Sequence, residues 1–240
     1  MNPDNSRDLG TWWWAGIPAA MLILTVYAYL ASPELMTLLI RRDEHPAGGG
    51  IAESGTVLVL LPGIAAGVAV LLRQQARLPW WLTVWLLGWT LACIYFAGEE
   101  ASWGQHYFRW GTPETLTALN DQSETNLHNI SHWLDQKPRT LVEIWEVLAG
   151  LLLPAWWRLR RKPPFGAAAW RQWFWPTRVV MPAVAIFLAT DIVAMVSKAN
   201  DWPAWYTLGS NELREFYIAF FLSTYLLSLW QRLRQEAPRG

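Results

Sequence analysis

The sequence predicts an all-α fold, a bundle of about six membrane-spanning helices formed by one integral membrane domain covering residues 1–240. Three observations predict this class. Hydrophobic residues make up 53% of the chain and charged residues only 16%, compared with about 25% in a typical soluble domain. Several apolar runs have the roughly 20 residues that a helix needs to cross a bilayer. The 19 tryptophans suit the membrane–water interface, where an apolar ring with a polar N–H is favoured.

Six apolar runs are long enough to span a membrane. They lie at about 12–31, 52–72, 79–98, 140–158, 177–197 and 212–230. The run at 33–40 is too short to span, and we expect it to continue the first helix or to lie at the interface. Because no internal repeat and no low-complexity linker divides the chain, a single bundle is the simplest interpretation.

The distribution of lysine and arginine predicts the orientation of the bundle. With six spans, the N-terminus shares a side with the segments that follow the second, fourth and sixth spans. That side carries twelve of the 19 cations, and the positive-inside rule places it in the cytoplasm. We therefore expect both termini in the cytoplasm and the segment 99–139 in the periplasm. The N-terminal residues do not resemble a cleavable signal peptide.

Charge and cysteine content exclude some classes of partner. The formal net charge is zero, so nucleic acid is not an expected partner. The single cysteine, Cys93, lies in an apolar run and excludes a disulfide within the chain. The expected partners are membrane lipids, together with a lipid substrate or a second membrane protein.

Acidic residues within the spans, or at their ends, all fall in the predicted outer half. Five of them begin spans, where the helix dipole favours negative charge: Glu53, Glu143, Glu146, Glu212 and Glu215. Capping and an interfacial location are one interpretation of these five. Glu99, Glu100 and Asp191 instead lie toward the C-terminal ends of spans, where a carboxylate costs a few kcal/mol unless it is paired or neutralised. These three are therefore site candidates, with Lys198 as a candidate partner of Asp191.

The outer segment 99–139 is too long for a turn and predicts short interfacial helices. One of them is predicted to cover 123–135. On that helix His128 and His132 lie one turn apart, a spacing that suits a metal ion, although a solvated helix face is the alternative. Imidazoles together with carboxylates suit zinc, iron or manganese. The predicted divalent-metal ligands are Glu100, His128, His132, Glu212 and Glu215.

One serine in the same segment is a candidate nucleophile. Ser102 is followed one helical turn later by His106, although no acid that would orient the histidine is evident. A Gly-x-Ser-x-Gly motif is absent. The candidate catalytic residues are Glu99, Glu100, Ser102 and Asp191.

Two strings, GEEASWGQ at 98–105 and ETNLHN at 124–129, resemble a signature of multi-pass bacterial membrane proteins of unassigned function. This resemblance implies a bacterial inner-membrane location and no particular activity. A fainter similarity links the chain to alkaline ceramidases and related membrane hydrolases, which gather serine, aspartate and histidine around zinc in a helical bundle. The late histidine pair of those enzymes is missing here, because no histidine follows His132.

Three functions remain open at this point. The first is a metal-dependent hydrolase or transferase that acts on a lipid or lipid-linked substrate at the outer face, with the metal activating water. The second is a non-catalytic membrane subunit or assembly factor whose acidic rim binds a partner. The third, an ion-coupled transporter, is disfavoured because the inner half has almost no polar groups and the chain lacks a two-fold repeat.

Overall fold

The computed structural model describes most of the chain. The described residues are 8–40, 50–73, 78–108, 110–112, 114, 132–160, 171–202 and 211–236. For His106 and His132 it describes the backbone alone. The described residues are 89% helical and contain no strand, which confirms the predicted all-α class.

The helices of the described residues follow one another along the chain in this order. They are α1 (Ile17–Ala31), α2 (Pro33–Ile40), α3 (Ile51–Arg73), α4 (Trp80–Glu100), α5 (Gln105–Phe108), α6 (His132–Val147), α7 (Leu153–Leu159), α8 (Arg171–Phe174), α9 (Met181–Ala199) and α10 (Asn211–Glu236). A π-helical turn, Trp12–Gly16, precedes α1, and a second one, Leu148–Leu152, joins α6 to α7. The second lies directly before Pro154, which has no N–H for the carbonyl of Gly150, so the wider turn accommodates the missing bond.

Five helical segments are long and apolar enough to cross a membrane. They are Trp12–Ala31, Ile51–Arg73, Trp80–Glu100, Arg139–Trp157 and Arg178–Ala199. Large apolar side chains on these segments remain exposed, including Ile23, Leu58, Leu72, Val84, Leu91, Ile144, Leu152, Ile192 and Met195. An apolar exposed surface on apolar helices is typical of contact with lipid, and the protein is an integral membrane protein.

The sixth predicted span corresponds to α10, which lies at the centre of the bundle. It has 26 residues, and an unbroken run of buried side chains extends from Phe216 to Leu226. Hydroxyl and charged side chains make α10 less apolar than the other five segments. A helix that is surrounded by other helices can carry such residues because it has little contact with lipid.

Helix α3 packs against α10 on one side and α4 on the other through two glycines, Gly63 and Gly67. A Cβ atom added at Gly63 would lie 2.5 Å from the Cα of Ser223 on α10. A Cβ added at Gly67 would lie 2.3 Å from the Oγ1 of Thr90 on α4. Glycine is required at both positions because the helices approach too closely for any side chain.

Helix α6 differs from the sequence prediction. The expected interfacial helix at 123–135 was predicted to end before the fourth span, which was placed at 140–158. The described chain instead forms one continuous helix from His132 to Val147, and the π-helical turn carries it on into α7. The predicted break between 135 and 140 is wrong, because the helix continues through Pro138, its seventh described residue. Residues 123–131 lie outside the described part.

Candidate functional site

Five helices bring their acidic residues to one end of the bundle, which we call the carboxylate end. A Cβ added at Gly55 on α3 would lie 3.4 Å from the ring of Phe216, so the beginnings of α3 and α10 lie side by side. The end of α4 and the side chains of α6 and α9 meet the same turns of α10. The carboxylate end comprises Glu53, Glu99, Glu100, Glu143, Glu146, Asp191, Glu212 and Glu215.

Three of the predicted metal ligands converge at this end. Glu100, Glu212 and Glu215 each place one carboxylate oxygen within 4.8 Å of the other two. Glu100 is the last residue of α4 and is only 6% exposed, whereas Glu212 and Glu215 lie in the first two turns of α10. Like charges this close disfavour one another's ionisation unless a cation or a proton offsets them. The arrangement can therefore hold a cation with oxygen ligands.

Two arginines pair with the acids around this cluster. Arg139 donates to Glu143 at 3.2 Å and to Glu215 at 3.0 Å, and also to the side-chain oxygen of Asn211. Arg214 donates to the same Glu143 oxygen at 2.8 Å. These partly exposed pairs connect α6 to α10.

The partner of Asp191 lies on another helix. Its carboxylate lies 3.6 Å from the Nε of Arg214 on α10. The paired cation is therefore Arg214, whereas helical spacing suggested Lys198. Lys198, the suggested partner, is exposed. Asp191 therefore belongs to the same charged network as Glu143, and it is not one of the three clustered ligands.

Glu99 is compensated by a tryptophan from the turn that follows it. The Nε1 of Trp103 donates to Glu99 Oε1 at 2.6 Å. The Trp103 ring reaches this position because it lies over Gly98, where an added Cβ would come within 2.9 Å of ring atoms. Glu99 is only 2% exposed, so this hydrogen bond offsets part of the cost of burying the carboxylate against the dipole of α4.

The turn that places Trp103 has an unusual backbone. Ser102 and Trp103 have φ angles of 43° and 53°, and Gly104 follows with 102°. A left-handed conformation costs about 1–2 kcal/mol for a residue with a Cβ, so neighbouring contacts must hold it. Ser102, the predicted nucleophile, is completely buried within this turn. Its suggested partner His106 has no described side chain, so the serine–histidine pair stays a prediction.

The dipole explanation for Glu143 and Glu146 is wrong. Because α6 begins at or before His132, these residues are at least the twelfth and fifteenth of the helix, beyond the turn in which the dipole favours acids. Glu143 is offset by its two arginines. Glu146 is 0% exposed, and neither of its oxygens has a hydrogen-bond partner among the residues that the structure describes.

Glu53, near the beginning of α3, is buried close to the turn that follows α4. It is 3% exposed. Burial raises the pKa of the Tyr107 phenol, and the negative charge of Glu53 raises it further, so these two side chains lie near one another. Glu53 thus occupies the helix N-terminal position that the dipole favours, as the sequence predicts.

The side chains of the predicted histidine ligands lie outside the described part of the structure. His128 lies outside the described residues, and only the backbone of His132 is described, at the beginning of α6. Their roles stay predictions. Among the described residues, the candidate metal ligands are therefore all carboxylates.

Sequence reasoning missed two features of this end. Trp103 was treated as an interfacial residue, and nothing in the sequence signals that its ring folds back onto Glu99. Glu146 was treated as a residue at a helix end, although it is followed by the apolar run VLAGLLL, which was an available signal of burial inside a span.

The chain was compared with known proteins on three levels. No family model matches it, and neither a curated protein nor a solved structure shows significant similarity. The residues of the carboxylate end are therefore the basis for assigning a function.

Proposed function

We propose that this protein is a bacterial inner-membrane enzyme that uses a divalent metal at Glu100, Glu212 and Glu215 to hydrolyse or transfer a lipid or lipid-linked substrate. The convergence of three carboxylate oxygens within 4.8 Å, from two helices, carries the proposal. The carboxylate end faces the periplasm in this proposal, as the positive-inside rule predicts.

Charge balance around the cluster favours a cation. Five carboxylates (Glu100, Glu143, Asp191, Glu212 and Glu215) give a charge of −5, and Arg139 with Arg214 gives +2. The sum for these groups is −3, and Glu100, Glu212 and Glu215 have further contacts besides. A divalent cation held by the three clustered glutamates would lower the mutual repulsion of their carboxylates.

The donor set indicates which metals fit. Oxygen-only sites suit magnesium, calcium or manganese, whereas zinc and iron favour sites that also contain imidazole or thiolate. Manganese is compatible with both the described carboxylates and a contribution from His128 or His132. When bound, such a metal polarises a phosphoryl or carbonyl oxygen and lowers the pKa of bound water.

The protein's own side chains suggest a division of roles. The three clustered glutamates hold the metal, and Arg139 offsets the charge of Glu215 while tying α6 to α10. Trp103 donates a hydrogen bond to Glu99, the residue before Glu100. Exposed apolar side chains on the spans below allow a lipid substrate to approach from the bilayer.

The test measures metal binding and turnover on the same protein. We expect purified protein in detergent to bind manganese, measured by isothermal titration and elemental analysis, and Glu212→Gln to weaken the binding at least about 10-fold. Glu34→Gln is the matched control: Glu34 lies on α2 outside the cluster, and a hydrogen bond from Ser32 lowers its pKa, so the substitution also removes a negative charge.

Turnover decides between the proposed enzyme and its alternative. Proteoliposomes of bacterial polar lipids should yield new lipid products by mass spectrometry with manganese and none after chelation. Metal binding without any product would favour the non-catalytic subunit or assembly factor. The Arg139 and Arg214 pairs are the observation in favour of that alternative, because they offset part of the acidic charge without a metal. The absence of metal binding would contradict the enzyme proposal.

A further inference from the structure

A second feature of the carboxylate end is independent of the metal cluster. Glu146 lies in a membrane-spanning segment, has no exposed surface, and has no hydrogen-bond partner for either oxygen among the described residues. An ionised carboxylate in an apolar interior without a cation costs far more than a neutral polar group. The side chain therefore needs a compensating charge or a proton.

The two arginines paired at the carboxylate end are engaged by other acids. On α6, Arg139 and Glu143 pair with one another, and on α10, Arg214 pairs with both Glu143 and Asp191 of α9. Glu215 of α10 pairs with Arg139. None of these groups donates a hydrogen bond to Glu146. Glu143, the nearest acid on its own helix, is negatively charged and disfavours a second charge at Glu146.

The surroundings on the other side of Glu146 are apolar. A Cβ added at Gly150, four residues further along the helix, would lie 2.9–3.4 Å from side-chain atoms of Val184, Phe221 and Val180. The side chains nearest to Gly150 are therefore apolar.

We propose that Glu146 is a proton-binding site within the membrane-spanning bundle, which holds its proton at neutral pH and exchanges it with the carboxylate end through Glu143. A protonated carboxyl group loses much less on burial than a carboxylate does. Glu143 lies three residues away, about 4.5 Å along the helix axis and on the same face. The Glu143 side chain is 18% exposed, so it can connect the buried proton to water.

The infrared spectrum tests the protonation state directly. In the difference between wild type and Glu146→Gln at neutral pH, we expect the carbonyl stretch of one protonated carboxyl group, which shifts in heavy water. Carboxylate bands in the difference spectrum would overturn the proposal and would indicate an ion pair with Arg214. If Glu146→Gln fails to fold, Glu146→Leu serves, since a neutral buried group is replaced by an apolar one at little cost.

The exchange route has its own measurement. After transfer to heavy water, the shift of this band should be slowed about tenfold or more by Glu143→Gln, a change of about 1.4 kcal/mol in the barrier. Glu34→Gln, which removes an exposed charge elsewhere, should leave the rate unchanged. An unchanged rate in Glu143→Gln would overturn the route through Glu143.

Metal chelation separates this inference from the proposed function. The band should persist in metal-free buffer, because the three clustered glutamates do not include Glu146. Loss of the band on chelation would show that Glu146 depends on the metal and would overturn the proton site. Failure of metal binding, in contrast, would leave this result unaffected.

Discussion

The two ends of the bundle satisfy their polar groups in different ways. Along α4 and α10, away from the clustered glutamates, lies an aromatic cluster that we call the aromatic end. The rings of Trp85, Trp145, Phe174 and Trp175 contact one another, and Tyr225 joins them through its hydroxyl. Trp145 directly precedes Glu146 on α6, so the two regions adjoin there. There, the Tyr225 hydroxyl accepts from Trp85 Nε1 at 3.2 Å and donates to the carbonyl of Phe174 at 2.9 Å. Asp8 likewise accepts hydrogen bonds from Ser228, Thr177 and the amide of Leu9.

At the carboxylate end the acids exceed the cations that pair with them. Eight carboxylates are gathered there, and Arg139 and Arg214 are the arginines paired with them in the described part. The aromatic end also has unbonded polar atoms, the indole N–H groups of Trp89 and Trp145, but these are neutral and cost much less than a charge. In the described part, acids therefore outnumber the arginines paired with them at the carboxylate end, whereas the polar groups of the aromatic end are neutral or hydrogen-bonded within the chain.

The largest expected loss of stability comes from a substitution that disturbs both ends of the bundle. Gly63→Ala places a Cβ 2.5 Å from the Ser223 backbone, so α3 and α10 must separate along the contact that aligns the two ends. We expect a loss of about 3 kcal/mol in the free energy of unfolding. Gly88→Ala is the matched control, because its Cβ meets nothing within 4 Å and alanine is the better helix former. Thermal unfolding in detergent measures both. Equal stabilities would contradict the close approach.

The second-largest effect is expected from a substitution that changes the carboxylate end alone. Glu100→Gln should weaken metal binding about 100-fold, close to 2.7 kcal/mol, because it removes a charged ligand. In metal-free buffer the same substitution should leave the unfolding temperature unchanged or higher, since a charge that opposes the dipole of α4 is removed. Metal titration and thermal unfolding of the same samples test both results. A metal-free variant destabilised by about 3–5 kcal/mol would instead assign Glu100 to a buried ion pair.

A smaller loss is expected at the turn after α4. Trp103→Phe keeps the ring over Gly98 but removes the N–H that binds Glu99, which leaves a buried carboxylate with one donor fewer. We expect a cost of about 2 kcal/mol. Trp80→Phe, at a tryptophan that is 78% exposed, should change stability little. Chemical unfolding of the two variants in detergent provides the comparison. An equal effect in both would contradict the role of the Trp103 hydrogen bond.

The smallest expected loss of stability comes from a substitution at the aromatic end. Tyr225→Phe removes one acceptor and one donor, and we expect a loss of about 1 kcal/mol in stability. Manganese affinity should stay within about twofold of wild type, since the change lies at the other end and distant sites are nearly additive. Tyr27→Phe, at an exposed tyrosine, is the control. A large loss of metal affinity in Tyr225→Phe would show that the ends are coupled.

Much of the fold was predictable because its signals are local. Five of the six predicted spans correspond to apolar helices that meet the length and composition of a membrane span. The sixth, α10, was found by its length and apolar content, but its central position was not predicted. Helical periodicity gives the faces of each helix, whereas the neighbour of a face depends on how the helices rotate against one another.

The candidate site was predicted in part because the depth of a residue in the membrane is also a local property of its segment. Glu100, Glu212 and Glu215 were predicted to lie at one depth, and depth follows from the position along a span. Helical spacing suggested Lys198 as one candidate partner of Asp191, whereas the structure pairs Asp191 with Arg214 on another helix. Contacts within a helix follow from spacing, while contacts between helices require the three-dimensional arrangement.

By itself, the sequence determined that this protein is an all-helical membrane protein with its acids concentrated toward one end, because hydropathy and charge are properties of each segment alone. Only the tertiary structure decided which acids have partners. Trp103 folds back on Glu99, two arginines bridge Glu143, Asp191 and Glu215, and Glu146 is left without a hydrogen bond among the described residues. The cost of a buried charge depends on the groups within a few ångströms, and those groups come from helices far apart in the chain.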